Sequence, residues 1–473
     1  MKAVRYVGQK ACRDREYQDR VGSPAIAVVD TLPKGANVTV NFELDGKPLM
    51  VRLTPRARDF LDLAVTVYIT DEVAARSQAA DFWSRRFDLV FPVHSPTTWQ
   101  PMEVLLRRVL HTLSGDRYDF LWPERGPLPR ARRHRARMPK AFDTVCLFSG
   151  GMDSLVGAYR LLRADRRVLL VGHQADGITA AAQKLLASKL RRLFPDQLHL
   201  IQTRVARSLS RTQRFSLPEK VEDSHRVRSF LFLGLAVTVA QAAGIDEVVM
   251  AENGLIALNA PLQPSRIGSL STRTAHPLFM AQFLDFLADT GIYKGHLKNP
   301  LLYMSKTDML QTTDARLRSL LPLSVSCAHT GDLRWLKMPG VKHCGYCVPC
   351  LYRRAAMAHV GLDESGHYGF DVLQNLRLLT RYKQSDFRAL VAFAQRVTVA
   401  SRVQRELIVL SHGAFSSELG ARLGPSPAQD LSPWSDMLLR WARGFLDFVQ
   451  ARASASTKRI LGVRRADRKA PRT

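Results

Sequence analysis

The sequence predicts an α/β protein: a doubly wound parallel sheet, preceded by an N-terminal α+β or mainly β domain and followed by a helical C-terminal region. Three observations predict it. From residue 143 short apolar runs alternate with helical segments of crossover length. A Gly-Gly turn, Ser149-Gly150-Gly151-Met152-Asp153-Ser154, sits where a strand must become a helix. Upstream of about residue 140 the periodicity is that of alternating strands.

In chain order, Val38, Val40, Phe42 and Leu44 alternate with polar residues, and Asp45-Gly46 turns the chain into Leu49, Val51 and Leu53, a hairpin signal. Thr66–Ile69 and Phe87–Pro92 read as further strands, and Met102–Leu113 as a helix. We read residues 1–122 as an accessory domain and 123–142 as a basic, Pro- and Arg-rich linker. In 143–360 the expected order is strand 144–148, helix 153–163, strand 167–172, helix 179–193, strand 198–203, helix 224–243 and strand 247–251. Right-handed crossovers then place Ser149, His173 and Glu252 at carboxyl ends of strands, where ligands of such sheets bind. Ser305-Lys306-Thr307-Asp308 fits a variant capping box. Residues 361–473 read as helical with a basic tail, and no internal repeat is present.

The 473 residues are 46% apolar and 23% charged, with a formal net charge of +27. No stretch is long enough to span a bilayer; the most apolar helix, Phe230–Gly244, is short and holds Thr238 and Gln241. The basic N-terminus lacks the apolar segment of a signal peptide, and a cytoplasmic location without membrane attachment is expected. Charge concentrates in Arg130, Arg132, Arg133, Arg135, Arg137 and Lys140, and again from Lys458 to Arg472. Such runs bind nucleic acid through counterion release, or are a solvated linker and tail.

The loop 149–154 lacks the closing Gly-Lys-Ser/Thr of a Walker loop and the three spaced glycines of a dinucleotide fingerprint. Gly150 and Gly151 permit close backbone approach, Ser149 and Ser154 donate, and Asp153 is able to orient Mg²⁺ or to cap the helix. Four of the six cysteines, Cys327, Cys344, Cys347 and Cys350, supply a closed Cys₄ set for a structural Zn²⁺, with an iron–sulfur cluster as the alternative. Arg353 and Arg354 are placed to offset the charge of about −2 on such a site. Cys12 and Cys146 fall outside it, Cys146 as a buried strand residue.

The pattern Ser-Gly-Gly-x-Asp-Ser resembles the PP-loop of ATP pyrophosphatases, which have a HUP-like fold. With the cysteine spacing, Arg226-Val-Arg228 and Asn299-Pro300 through Lys306, residues 143 to 360 resemble the 7-cyano-7-deazaguanine synthase (QueC) family. The resemblance implies ATP as co-substrate, a loop that grips the β,γ-phosphates, and adenylation of the carboxylate of 7-carboxy-7-deazaguanine with release of pyrophosphate. Family members then amidate the acid with ammonia and dehydrate the amide to a nitrile with a second ATP.

The chain departs from that family in its extra length and in Glu252-Asn253-Gly254 through Ser271-Thr272-Arg273-Thr274-Ala275-His276-Pro277, a segment rich in groups for a planar, guanine-like ligand. These departures and the basic runs resemble the QueC-like component, QatC, of the Qat anti-phage defence systems. That resemblance implies retained activation of a deazaguanine carboxylate, protein partners from the same operon, and transfer to ammonia or to a protein or nucleic-acid amine. Asp153, Lys306 and Arg228 are the expected catalytic groups, the last two as counter-charges for the phosphates. Glu252, Asn253, Arg273 and His276 are the expected substrate contacts, and an exposed helix-start lysine is the competing reading of Lys306. An RNA-modifying PP-loop enzyme and a non-catalytic nucleotide-binding scaffold are the other classes compatible with the sequence.

Overall fold

The structure, a computed structural model, describes residues 2–7, 27–31, 36–126, 137–208, 215–222, 224–259, 273–330, 340–411 and 431–463. Cys12, the arginines at 130–135, residues 260–272 and the tail from 464 lie outside these.

A mostly parallel sheet forms the centre. β7 (Thr144–Leu147) pairs on one side with β10 (Glu247–Val249), which carries β11 (His296–Lys298), and on the other with β8 (Val168–His173), followed by β9 (Leu198–Arg207), all parallel. Val168–Val171 are buried without alternation, the signature of a strand covered on both faces. The covering helices are α3 (Met152–Arg163), α4 (Gly177–Leu193) and α5 (Arg228–Ala243). α5 is apolar around most of its circumference because protein packs on both sides of it. Its start lies later than the expected 224, since His225 takes a left-handed backbone (φ 47°).

The expected hairpin is present but belongs elsewhere. β3 (Val38–Leu44) and β4 (Lys47–Pro48) flank a turn with positive φ at both Asp45 (48°) and Gly46 (85°), as a type I′ turn requires. β3 then pairs antiparallel with β9 from Val38↔Arg207 to Leu44↔Ile201, so the hairpin extends the central sheet. This partner also lengthens β9 beyond the expected 198–203.

The rest of the N-terminal region holds a second sheet, all parallel, ordered β2 (Ala27–Asp30), β1 (Lys2–Val7), β5 (Arg86–Val90) and β6 (Arg117–Leu121). Thr66–Ile69, expected as a strand, lies inside a helix, α1 (Pro55–Val73). A short apolar run does not distinguish a strand from a buried helix segment. Here the Thr66 and Thr70 hydroxyls bond the carbonyls of Asp62 (2.8 Å) and Thr66 (2.7 Å), which satisfies them within a buried helix. α1 packs on α5 through Phe60 and Phe230 (ring centroids 6.0 Å). The expected helix near 102–113 is α2 (Glu103–Ser114).

Beyond the sheet run α6 (Gly254–Leu258), α7 (Pro277–Asp289), α8 (Lys306–Gln311), α9 (Ala315–Leu320) and α10 (Val348–His359). The C-terminal region is helical: α11 (Arg381–Val399), α12 (Arg402–Leu410), α13 (Ser432–Arg452) and α14 (Ala455–Leu461). α13 seats against the core through Trp441 and Tyr352 (5.8 Å) and through Arg440, 3.3 Å from Asp308. No helix among the described residues is long and apolar enough to cross a membrane.

Candidate active site

The loop after β7 is shaped by its own backbone. Gly150 sits at φ 79°, a conformation that side chains disfavour. Ser149 Oγ accepts from the Gly151 amide (3.3 Å) and lies 3.2 Å from Ser154 Oγ, which also reaches the Gly151 carbonyl (3.1 Å). Gln183 Nε2 donates to the carbonyls of Ser149 (3.4 Å) and His173 (3.1 Å), tying the loop after β7 to the end of β8. Gln183 is in turn fixed by Gln202 (2.9 Å).

Asp153 is buried in the first turn of α3, but it does not cap that helix as one sequence reading had it. Its carboxylate faces across the site: Oδ1 accepts from Lys306 Nζ, and Oδ2 from the Asn253 side-chain amide (2.5 Å) and backbone N–H (3.2 Å). Lys306 is therefore not an exposed helix-start lysine. It is buried beneath the loop, delivered by a complete capping box in which Ser305 and Asp308 bond each other's amides (3.1 and 3.0 Å). Asn253, expected at the substrate, anchors Asp153 and caps α6.

Glu252 follows β10, its backbone clamped by Asn299, whose Oδ1 accepts from the Glu252 amide (3.2 Å) and whose Nδ2 donates to its carbonyl (2.9 Å). Burial, reinforced by the Asp153 charge, pushes the Glu252 carboxyl up to about 8, against the opposing pull of Lys306 and Arg228. Arg228 heads α5; desolvation lowers its pKa, and its guanidinium lies over the Phe232 ring (5.5 Å). Neither the Arg228 guanidinium nor the Glu252 carboxyl has a hydrogen-bond or ion-pair partner among the described residues. A buried guanidinium and a carboxyl held largely neutral, each without such a partner among the described residues, leave polar groups available to a ligand.

Arg273 reaches the Thr112 carbonyl of α2 (3.5 Å), and His276 is the N-cap of α7, its Nδ1 accepting from Leu278 N–H (3.2 Å).

The four cysteines converge. The Sγ atoms of Cys327, Cys344, Cys347 and Cys350 all lie within 4.8 Å of one another, and Cys344 and Cys350 are 3.9 Å apart. A tetrahedral Zn–S₄ centre separates its sulfurs by about 3.8 Å, so the donor set fits Zn²⁺. Amides of His329 and Cys344 donate to Cys327 Sγ (3.3 Å each), as thiolates require. Gly345 turns the knuckle at φ 90°, where a Cβ would lie 2.1 Å from the Phe370 carbonyl oxygen. Cys146 is buried apart, its thiol raised to about 12 by desolvation.

The cluster also holds the loop. Val325 N–H donates to the Gly150 carbonyl (2.9 Å), and Ser326 Oγ accepts from the Met152 amide (3.2 Å). His343, kept neutral by burial with its pKa near 3, accepts from Ser326 N–H (3.2 Å) and is not needed as a ligand. Arg353 donates to Ser324 Oγ (2.7 Å) and the Leu321 carbonyl (2.9 Å), and Arg354 pairs with Asp363 (3.3 Å) and Asp371 (2.7 Å). Both brace the flanking turns through these bonds, and Arg353 also lies within the electrostatic reach of Cys350, in the sense expected of a counter-charge to the cluster.

Residues 143–361 match the family model of queuosine biosynthesis protein QueC. This part of the chain is QueC-like. A curated relative, the 7-cyano-7-deazaguanine synthase of Methanothrix thermoacetophila, is 26% identical over 241 residues, covering 47% of this chain and 97% of the relative. No solved structure gives a significant match. Asn299, Ser326 and Gln183 were not singled out as site residues from the sequence; the first lies in the Asn299-Pro300 segment, the others carry no local signal.

Proposed function

We propose that the chain is an ATP-dependent, QueC-like adenylating enzyme acting on the carboxylate of a 7-deazaguanine. The observation that carries this reading is the juxtaposition of a Ser-Gly-Gly phosphate loop with the Arg228 guanidinium and the Glu252 carboxyl, neither of which has a hydrogen-bond or ion-pair partner among the described residues. ATP phosphates sit against the Gly150–Ser154 amides and hydroxyls at the start of α3. A carboxylate oxygen of the acid attacks the α-phosphorus; the O–P bond forms, the α–β bridge breaks, and pyrophosphate leaves with the electron pair. Lys306 and Arg228 supply positive charge where that charge develops. An amine nitrogen then attacks the acyl carbon, the C–O bond to AMP breaks, and the amine proton passes to solvent.

Mg²⁺ accompanies ATP in this reading. Asp153 commits both oxygens to Lys306 and Asn253, which fits an anchor for Lys306 better than a bare Mg²⁺ ligand. Zn²⁺, held by the four cysteines, would supply rigidity beneath the loop.

The residues outside the QueC-like span, together with the basic runs, support a role in anti-phage defence with an operon-encoded protein, or a nucleic acid, as amine acceptor. The relative's near-complete coverage favours a second reading, in which ammonia is the acceptor and a nitrile the product. Incubating the protein with ATP, 7-carboxy-7-deazaguanine and candidate acceptors decides between them by mass spectrometry. A mass increment on a partner supports transfer, the free nitrile supports the second reading, and absence of acid-dependent pyrophosphate release sinks both.

A further inference from the structure

The N-terminal extension places a side chain beside His173 and Arg228 that the QueC-like span does not contain. Tyr68, near the end of α1, meets the His173 imidazole edge-on at the carboxyl end of β8 (ring centroids 6.3 Å). Phe232 of α5 lies 5.3 Å from the same ring. Both His173 nitrogens are buried without a hydrogen-bond partner among the described residues. Burial and the Arg228 charge hold this imidazole neutral, its pKa near 4, so it carries one donor and one acceptor. Leaving both unused is costly, and a ligand edge carrying its own donor and acceptor would relieve that cost.

Tyr68 itself is fixed. Its hydroxyl bonds Glu72 one turn on, and desolvation keeps the phenol protonated. The Glu72 backbone carbonyl accepts from the amides of Val221 (2.9 Å) and Glu222 (3.1 Å), in the segment that leads to Arg228. The Glu72 carboxylate lies 3.9 Å from Lys220 Nζ. Tyr68 also falls within the electrostatic reach of Arg228, as do Glu252 and Asp176.

We propose that Tyr68 is a specificity-determining positioning residue: the N-terminal extension uses its ring to hold His173 at the end of β8, so that the imidazole pairs with the heteroaromatic edge of the acid substrate. This rests on the proposed adenylating function.

The test is acid-dependent pyrophosphate release by the full-length protein carrying Tyr68→Leu, Tyr68→Phe, His173→Ala or the Leu/Ala pair. Loss of positioning raises KM for the acid by about tenfold, with kcat and the KM for ATP little changed, the pattern of lost ground-state binding. Tyr68→Phe, which keeps the ring, restores the wild-type KM. The double variant is no worse than His173→Ala alone, because Tyr68 acts through that residue. An unchanged acid KM in Tyr68→Leu, or effects of Tyr68→Leu and His173→Ala that multiply, overturns the proposal. Should Tyr68→Leu not fold, an unchanged acid KM in His173→Ala overturns it equally. A wild-type protein that releases no pyrophosphate overturns the underlying function instead.

Discussion

Lys306 donates to the Asp153 carboxylate, and both side chains are buried. The pair joins the first turn of α3 to the capped start of α8, elements far apart in sequence. Removing one partner of a buried pair costs about 3–5 kcal/mol, because the other charge is left uncompensated. Lys306→Met is therefore expected to lower stability by that order in chemical denaturation. Its pyrophosphate release should fall by about 10²-fold or more, since charge at the leaving group is lost as well. Combining it with Asp153→Asn should restore much of the stability and none of the activity. A double variant as unstable as Lys306→Met alone would show that the pair is not the source of the effect.

The loop and the cysteines were legible because each is a short pattern whose chemistry is local: glycines where φ must be positive, thiols at ligand spacing. Lys306 was legible as a charge, yet its burial was not, since that depends on Asp153 and on α13 closing over α8. Thr66–Ile69 was misread because β-branched residues in a helix are tolerated only when packing and the i−4 carbonyl bonds satisfy them. Asn299 and Tyr68 act across distances that no window of sequence spans. The turn was legible from Asp45-Gly46, but the strand expected to run on through Leu53 is only Lys47–Pro48, and the long partner of β3, β9, lies more than a hundred residues away.

Glu252 makes stability depend on pH in a stated direction. Its carboxyl is raised from an ordinary 4.5 to about 8. Between those values the unfolded chain has released the proton and the folded protein retains it. Stability contributed by the neutral form is thus present below pH 4.5, declines as pH rises, and is lost above about 8. Glu252→Gln removes this dependence. Melting temperatures of wild type and variant, measured from pH 5 to pH 9, should diverge in favour of the variant as pH rises; parallel curves would refute the assignment.

The cysteine knuckle should be needed for the loop rather than for the chemistry. Cys350 and its partners close on Cys327, which follows directly on the Val325 and Ser326 contacts to the loop. Purified protein is expected to carry one Zn²⁺ per chain, and metal analysis showing iron with sulfide would favour the cluster alternative. Chelation, or Cys347→Ser, should lower the melting temperature and abolish pyrophosphate release together, because metal binding and local folding are one equilibrium. Ser326→Ala, with all four cysteines intact, should keep the metal while costing about 1 kcal/mol through the lost Met152 bond.

The N-terminal region is expected to be inseparable from the QueC-like span. β3 covers the outer edge of β9 over seven residue pairs, from Val38 to Leu44. On the sheet's face Phe60 packs among Phe230, Phe283 and Phe286 at 6.0, 6.1 and 6.2 Å, with Leu63 and Val67 buried beside it. Removing residues 1–142 would uncover that apolar face of α5 and leave β9 as an unprotected edge, a template for aggregation. Each large apolar side chain withdrawn from such a core forfeits about 1.5–3 kcal/mol, so losing several reaches the whole stability of an ordinary domain, about 5–15 kcal/mol. Expression of residues 143–473 should yield aggregated protein or one with no cooperative melt. A soluble 143–473 fragment with a sharp transition and full metal content would show instead that the extension is an added module, and its pyrophosphate release would then report directly what α1 contributes to the site.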